Sequence, residues 1–144
     1  MSSLTSLARG ARPEAVALAR AVLEQDVADQ AWAAQVGPAL TQRDVARLLS
    51  KTEQAVAKDA RLLRLRTRDG RPVYPVLQFT GRGQLSGVAE VVAALRGALE
   101  PLTVASWLTA PQRELDGRRP VDALRAGIVE PVVLAARRLA RAAG

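Results

Sequence analysis

The chemistry open to this 144-residue chain is limited first by what it lacks: it has no His and no Cys. That removes the commonest general base, the commonest metal ligand, and all thiol and disulfide chemistry. Asp, Glu, Lys, Ser, Thr and Tyr remain. No carboxylate pair sits in a recognisable motif, and no Gly-rich phosphate loop is present. The sequence therefore predicts no catalytic residues, no metal site and no cofactor, and an enzyme is not expected.

The chain does carry side chains suited to contacting nucleic acid. The stretch DVARLLSKTEQAV, residues 44–56, reads as helix, break, helix. In a helix-turn-helix the first helix packs across the second, and the second lies in the DNA major groove. Positions near the crossing must be small, which suits Ala46, while Val45, Leu49 and Val56 supply apolar contacts. Lys51 and Thr52 then fall at the start of the second helix. Glu53, Gln54, Ala57, Lys58 and Arg61 fall on its outward face. Gln54 can pair with adenine, and Lys58 and Arg61 can reach guanine or phosphate. Ser50 stands where such turns usually have Gly, so any positive φ there is strained. Two abutting helices of an all-α core would give the same pattern.

A second group of candidates follows directly. LRLRTRDGRPVYPVLQF, residues 63–79, has the tight-turn pair Asp69-Gly70 between alternating segments, which predicts a two-stranded hairpin over about residues 64–77. Pro72 and Pro75 limit it to a small edge-like ribbon. Arg66, Arg68 and Arg71 cluster around the turn, where such a hairpin can lie along the phosphate backbone as a wing. Otherwise they simply face water. Charge agrees with a polyanion partner: residues 43–82 hold ten basic and four acidic residues, net +6 of the chain's +7. Nineteen of the 21 basic residues are Arg, a bias that a GC-rich genome produces by itself.

The elements that must position these residues read as follows. Residues 1–12 have no period and predict a mobile tail. From Pro13 the sequence repeats Val16, Ala19, Leu23, Val27 and Ala31 at helical spacing, and Gly37-Pro38 ends that helix. Its role is core cover or dimerisation. Thr41 caps a second helix with Asp44 three residues on, and Thr52 caps a third over EQAVAKDARLL. TGRGQLSG predicts a loop, GVAEVVAALRGALE a helix stopped by Pro101, and LTVASWLTA a helix ended by Pro111. VDALRAG is a brief helix stopped by Gly127, and EPVVLAARRLARAAG is the last. The expected fold is mainly α. Residues 1–38 form a tail and helix, residues 39–80 a helix-turn-helix with a small β-hairpin, and residues 81–144 a helical domain. Aromatics are only 3% of the chain, so the core must be built from Ala, Val and Leu. No charge-free apolar run is long enough to span a membrane. MSSLTSLARGAR has no signal-peptide apolar stretch, so a cytoplasmic location is the expectation.

WLTAPQRELDGRRPVDALRAG, residues 107–127, contains Trp107-Leu108, Pro111, Leu115, Gly117, Pro120, Leu124 and Gly127 in that order. This series resembles the toxin-binding domain of the Xre/MbcA/ParS antitoxin family. DGRPVYPVLQF, residues 69–79, is similar to the segment that joins the helix-turn-helix to that domain in part of the family. The match covers about residues 40–140. The resemblance implies an antitoxin of a type II toxin–antitoxin pair. Such a protein would neutralise a nearby-encoded RES-type toxin that consumes NAD or ADP-ribosylates a protein. It would also bind its own promoter as a repressor, as a homodimer within a hetero-oligomer. Arg137, Arg138 and Arg141 form one stripe of the last helix, and Val132, Ala136, Leu139 and Ala143 another. An arginine stripe could enter a pyrophosphate-binding cleft of the toxin, or be a solvated face favoured near a helix C-terminus. Trp107 is either a core anchor or a partner hot spot. The alternative function is a stand-alone helix-turn-helix transcription regulator without a toxin.

Overall fold

A computed structural model of the chain describes residues 34–143. The predicted N-terminal tail and nearly all of the first helix lie outside the described residues. Residues 34–36 are helical, and Gly37 follows with φ 89.

Strand β1 (Ala39–Thr41) leads straight into helix α1 (Gln42–Leu49). The change of conformation is set by Thr41, which is extended (φ −73, ψ 163) and cannot continue the helix backwards. Its Oγ1 accepts the Asp44 N–H at 3.2 Å, the cap expected from the spacing, and donates to Asp44 Oδ2 at 2.8 Å, so the carboxylate meets the hydroxyl and not the Thr41 backbone N–H of a full capping box. Helix α1 ends at Ser50, which turns left-handed at φ 54, ψ 47. The Ser50 N–H bonds back to Ala46 and Arg47, and the Lys51 N–H reaches the Ala46 carbonyl at 2.9 Å. Thr52 is again extended and caps α2 (Glu53–Lys58) by accepting the Ala55 N–H at 3.0 Å.

Helix α2 is shorter than the periodicity predicts, which would carry it to Leu63. Asp59 ends it. Its carboxylate accepts from the Arg61 backbone N–H at 2.9 Å and from both Arg61 Nε and Nη2 at 3.0 Å, a local alternative to the helical ladder. The chain then runs into β2 (Leu65–Arg66) and returns as β3 (Pro72–Pro75). The predicted hairpin is therefore present, but β1 adds a third strand that the sequence reading missed. The sheet is antiparallel in the order β1-β3-β2. Its register pairs Leu40 with Tyr74, Thr41 with Val73, and Leu65 with Val73.

Strand alternation gives this small sheet two buried faces. Leu40 and Tyr74 point into a cluster with Val45, Ala46, Val56, Leu62, Val76 and Phe79, the core of the helix pair. The Tyr74 hydroxyl donates to Gln42 Oε1 at 3.1 Å. Ala39, Leu65 and Val73 point the other way, into a larger cluster with α3 (Val88–Leu95) and the helices that follow.

After β3 a 3-10 turn (Val76–Gln78) leads into a second small hairpin, β4 (Phe79–Thr80) and β5 (Gly83–Gln84), where the sequence predicted only a loop. Gln78 is fully buried and acts as a substitute strand. Its Oε1 accepts the Leu63 N–H at 2.8 Å and its Nε2 donates to the Leu63 carbonyl at 2.7 Å. Helix α3 packs chiefly on the last helix, with Val91 and Leu95 fully buried among Val132 and Ala136. Gly87 lets the start of α3 lie close to Leu124 and Val129. A Cβ there would sit 2.5 Å from Leu124 Cδ2 and 3.0 Å from Val129 Cγ1, and its φ is 94.

Helix α4 (Pro101–Thr109) starts at Pro101, which opens this helix and does not close α3; α3 has already ended before Gly97, where φ is 83. A 3-10 turn (Arg113–Leu115), α5 (Pro120–Arg125) and α6 (Val129–Ala143) complete the chain. Trp107 is half-buried against the larger cluster. The boundary expected after residue 80 crosses this continuous core. It is also tied by Arg125 Nη2 donating to the Leu77 carbonyl at 3.1 Å.

Candidate nucleic-acid interface

Val56 is the one buried residue of α2, and it turns the rest of that helix outward. Glu53, Gln54 and Lys58 are exposed, as are Lys51 and Thr52 in the turn before them. Gln54 and Lys58 are four residues apart and share a face. The Lys58 ammonium makes no hydrogen bond or ion pair within the described residues. Thr52 spends one acceptor site of its hydroxyl on the cap, so it orients α2 first.

Arg61 corrects the expectation that it lies on the outward face of the second helix. It follows the end of α2 and its guanidinium grips Asp59. Lys51 Nζ lies 3.6 Å from the same carboxylate, so Asp59 bridges the turn before α2 to the segment after it. The Arg61 hydrogen bonds hold the Asp59 carboxyl below the usual carboxylate range, with Lys51 adding to the effect. Lys51 and Arg61 thus brace the ends of α2, and both stay on the surface. Arg64 Nη1 adds a third brace, donating to the Ala57 carbonyl at 2.7 Å.

The wing is built around a three-residue loop. The Gly70 N–H bonds to the Thr67 carbonyl at 2.9 Å, and Thr67 and Arg71 close the hairpin through Thr67 N–H to Arg71 O at 2.9 Å. Gly70 is left-handed at φ 87 and Asp69 is not, so this is a turn followed by a left-handed Gly and not the two-residue Asp-Gly turn. The Thr67 hydroxyl hydrogen-bonds the Asp69 carboxylate, and Arg71 Nε lies 3.1 Å from Asp69 Oδ2. These contacts hold the Asp69 carboxyl below its usual range, the Thr67 hydroxyl first. Arg66 Nη1 donates to the Gly70 carbonyl at 2.9 Å. Arg66, Arg68 and Arg71 are all exposed, so the wing presents cations on a tip braced by its own side chains.

The carboxylates within this basic region are mostly withdrawn. Asp44 is buried under Thr41, Asp59 has a side chain only 9% exposed, and Asp69 is engaged at the wing tip. Residues missed as site candidates are Arg43 and Arg47. Both are exposed on α1, four residues apart, and neither has a hydrogen-bond or ion-pair partner within the described residues. In a helix-turn-helix the first helix crosses the phosphate backbone, which is where such a pair would act. The i, i+4 spacing of two arginines was legible, and only their exposure was not.

The C-terminal arginines are placed differently. Arg138 pairs with Glu114 of the preceding 3-10 turn, its Nη2 2.6 Å and its Nε 2.7 Å from Oε2. Arg137 and Arg141 are exposed on α6 beside it. Val132 and Ala136 form the buried stripe as expected, Leu139 is half-buried, and Ala143 is exposed.

Among the described residues no helix is long and apolar enough to cross a membrane. No protein-family model and no curated protein matches the chain. The chain is similar to the NMR structure of Rv2175c, at 28% sequence identity and a TM-score of 0.60, over 72% of this chain and 81% of that one. That likeness and the geometry above agree on a mainly helical fold with a small antiparallel sheet.

Proposed function

We propose that this protein is a DNA-binding regulator that docks α2 in the major groove and lays the β2–β3 wing along the phosphate backbone. The observation that carries the proposal is the exposed, unpaired α2 face of Gln54 and Lys58, held by two caps and one buried Val and followed by a rigid tip of three arginines. Gln54 is the candidate for base readout, and Lys58, Arg66, Arg68 and Arg71 for phosphate contacts. Lys51, Thr52 and Arg61 set the pitch of α2, and Glu53 disfavours phosphate at the helix start. Arg43 and Arg47 extend the same basic surface onto α1. The proposed site of action is the cytoplasm, where the chain would meet operator DNA.

The toxin-neutralising half of the sequence expectation is not carried by a comparable observation. Arg138 is paired within the chain, Arg137 is exposed in the middle of the last helix, and Arg141 sits in its last turn, where a cation is favourable in water. The proposed protein is therefore a stand-alone regulator.

The test is fluorescence anisotropy of the full chain against a pool of labelled DNA duplexes over a salt series. Wild type is expected to bind with a slope of log affinity on log salt of about −0.9 per phosphate contact. Lys58→Ala combined with Arg66→Ala should weaken binding on every duplex and reduce that slope by about 2. Gln54→Ala should instead flatten the preference between duplexes, and Arg137→Ala should change nothing. Salt-independent binding, or Lys58→Ala/Arg66→Ala binding like wild type, overturns the proposal.

A further inference from the structure

Behind α2, an open-sided cavity of about 890 Å³ lies between the segment that leaves the helix and the α3–α4 connection. Pockets that hold drug-sized ligands run to roughly 300–1,000 Å³ and combine apolar walls with a few placed polar groups. The walls here include Leu63, Leu65, Val92, Leu99, Leu102 and Val104. Leu102 is 40% exposed, one of two large apolar side chains left in that state among the described residues. It sits where an apolar ligand would cover it.

The polar lining is cationic. Arg64, Arg66 and Arg96 line the cavity against Asp59 and Glu100, and Asp59 is already engaged by Arg61 and Lys51. Each of the three arginines is fixed by one bond to a backbone carbonyl. Arg64 Nη1 donates to Ala57 at 2.7 Å, Arg66 Nη1 to Gly70 at 2.9 Å, and Arg96 Nη2 to Ala60 at 2.8 Å. A guanidinium has five N–H donors. These side chains are therefore oriented by the protein and still have donors for a ligand.

We propose that this cavity binds a small organic anion with an apolar body, its carboxylate at the arginines and its hydrocarbon part against Leu99 and Leu102. A carboxylate matches the planar donor fork of Arg better than a neutral polar group does. The site bears on α2 because Arg64 and Arg96 also hold the Ala57 carbonyl in its last turn and the Ala60 carbonyl just beyond its end. A carboxylate taken up by the remaining N–H donors fixes the same guanidinium groups further and so changes how firmly the end of α2 is held. This inference shares Arg66 with the proposed DNA surface but stands without it, because Arg64 and Arg96 line the cavity by themselves.

The test uses the full chain and the fluorescent probe anilinonaphthalene sulfonate, an aromatic anion, with octanoate and octanol as competitors. The probe should bind saturably at one site per chain, and octanoate should displace it at about tenfold lower concentration than octanol, the value of one charge-assisted contact. Leu102→Glu, at an exposed position, should weaken probe binding about tenfold by placing a negative charge at the ligand's apolar part. Arg96→Met should do the same by removing a donor while keeping an apolar stem; if it fails to fold, Leu102→Glu decides alone. Saturating octanoate should also alter amide hydrogen exchange over residues 57–64. Unsaturable probe binding, equal displacement by octanol, or wild-type affinity in Leu102→Glu overturns the site. Unchanged exchange over residues 57–64 at saturation overturns its link to α2.

Discussion

Replacing Ser50 with Gly is expected to stabilise the protein while leaving the turn between α1 and α2 as it is. Ser50 is one of two non-glycine residues with positive φ among the described residues, at φ 54 and ψ 47. The left-handed region costs an L-residue about 1–2 kcal/mol, because Cβ crowds the following carbonyl. Gly removes that term but adds about 0.5–1 kcal/mol of backbone entropy lost on folding. The net gain is about 0.5–1 kcal/mol, or about 2–4 °C in Tm for a domain of this size. Within the described residues no side-chain hydrogen bond of Ser50 offsets it. Ser50 is exposed, and its cap bonds to Ala46 and Arg47 come from the backbone N–H, which Gly keeps. The assay is urea unfolding, where the midpoint should rise with the slope unchanged. Ser50→Ala retains the Cβ and should gain nothing. A Ser50→Gly midpoint at or below wild type refutes the strain argument. An equal gain in Ser50→Ala refutes it too, because the hydroxyl would then be the source.

Four further substitutions test other joints of the fold. Gln78→Met keeps the volume but leaves the buried Leu63 N–H and carbonyl without partners, and should lower stability by about 3 kcal/mol in the same unfolding assay. Gly87→Ala combines a left-handed backbone with a Cβ 2.5 Å from Leu124 Cδ2, and should lower stability by about 2–4 kcal/mol, whereas Gly70→Ala at the open wing tip meets no atom within 4 Å and should cost only the backbone strain. Asp59 has a folded-state pKa below its ordinary 3.8, so its contribution to stability is complete above that pH and is lost as pH falls through the depressed value. The stability difference between wild type and Asp59→Asn, followed by thermal unfolding, should therefore be constant from pH 7 to about 5 and shrink in the acid limb.

Much of the helix pair was legible because its signals are local. Thr41 with Asp44, and Thr52 before Glu53, fix two helix starts within four residues each, and both caps form as spaced. The end of α2 was missed because apolar periodicity continues through Leu62 and Leu63, while the actual stop is Asp59 bonding forward to Arg61. Leu62 and Leu63 are buried, but on opposite sides of the sheet and not along a helix. Strand β1 was illegible for a different reason. Three residues carry no alternation worth reading, and their strand character comes from pairing with Tyr74 and Val73 more than thirty residues away. The candidate site divides the same way. Exposure of Gln54 and Lys58 follows from helical spacing around Val56, whereas the diversion of Arg61 to Asp59 and of Arg138 to Glu114 depends on contacts that sequence does not order.

We propose that the outward face of α2 and the wing act as one DNA interface. Amide chemical-shift mapping of the full chain, titrated with a short DNA duplex at moderate salt, tests it most directly. The largest shifts should fall in residues 51–58 and 66–71, with smaller ones at Arg43 and Arg47, and they should fade together as salt rises. Shifts concentrated instead on α6 around Arg137 and Arg141, or none anywhere at saturating duplex, would contradict it.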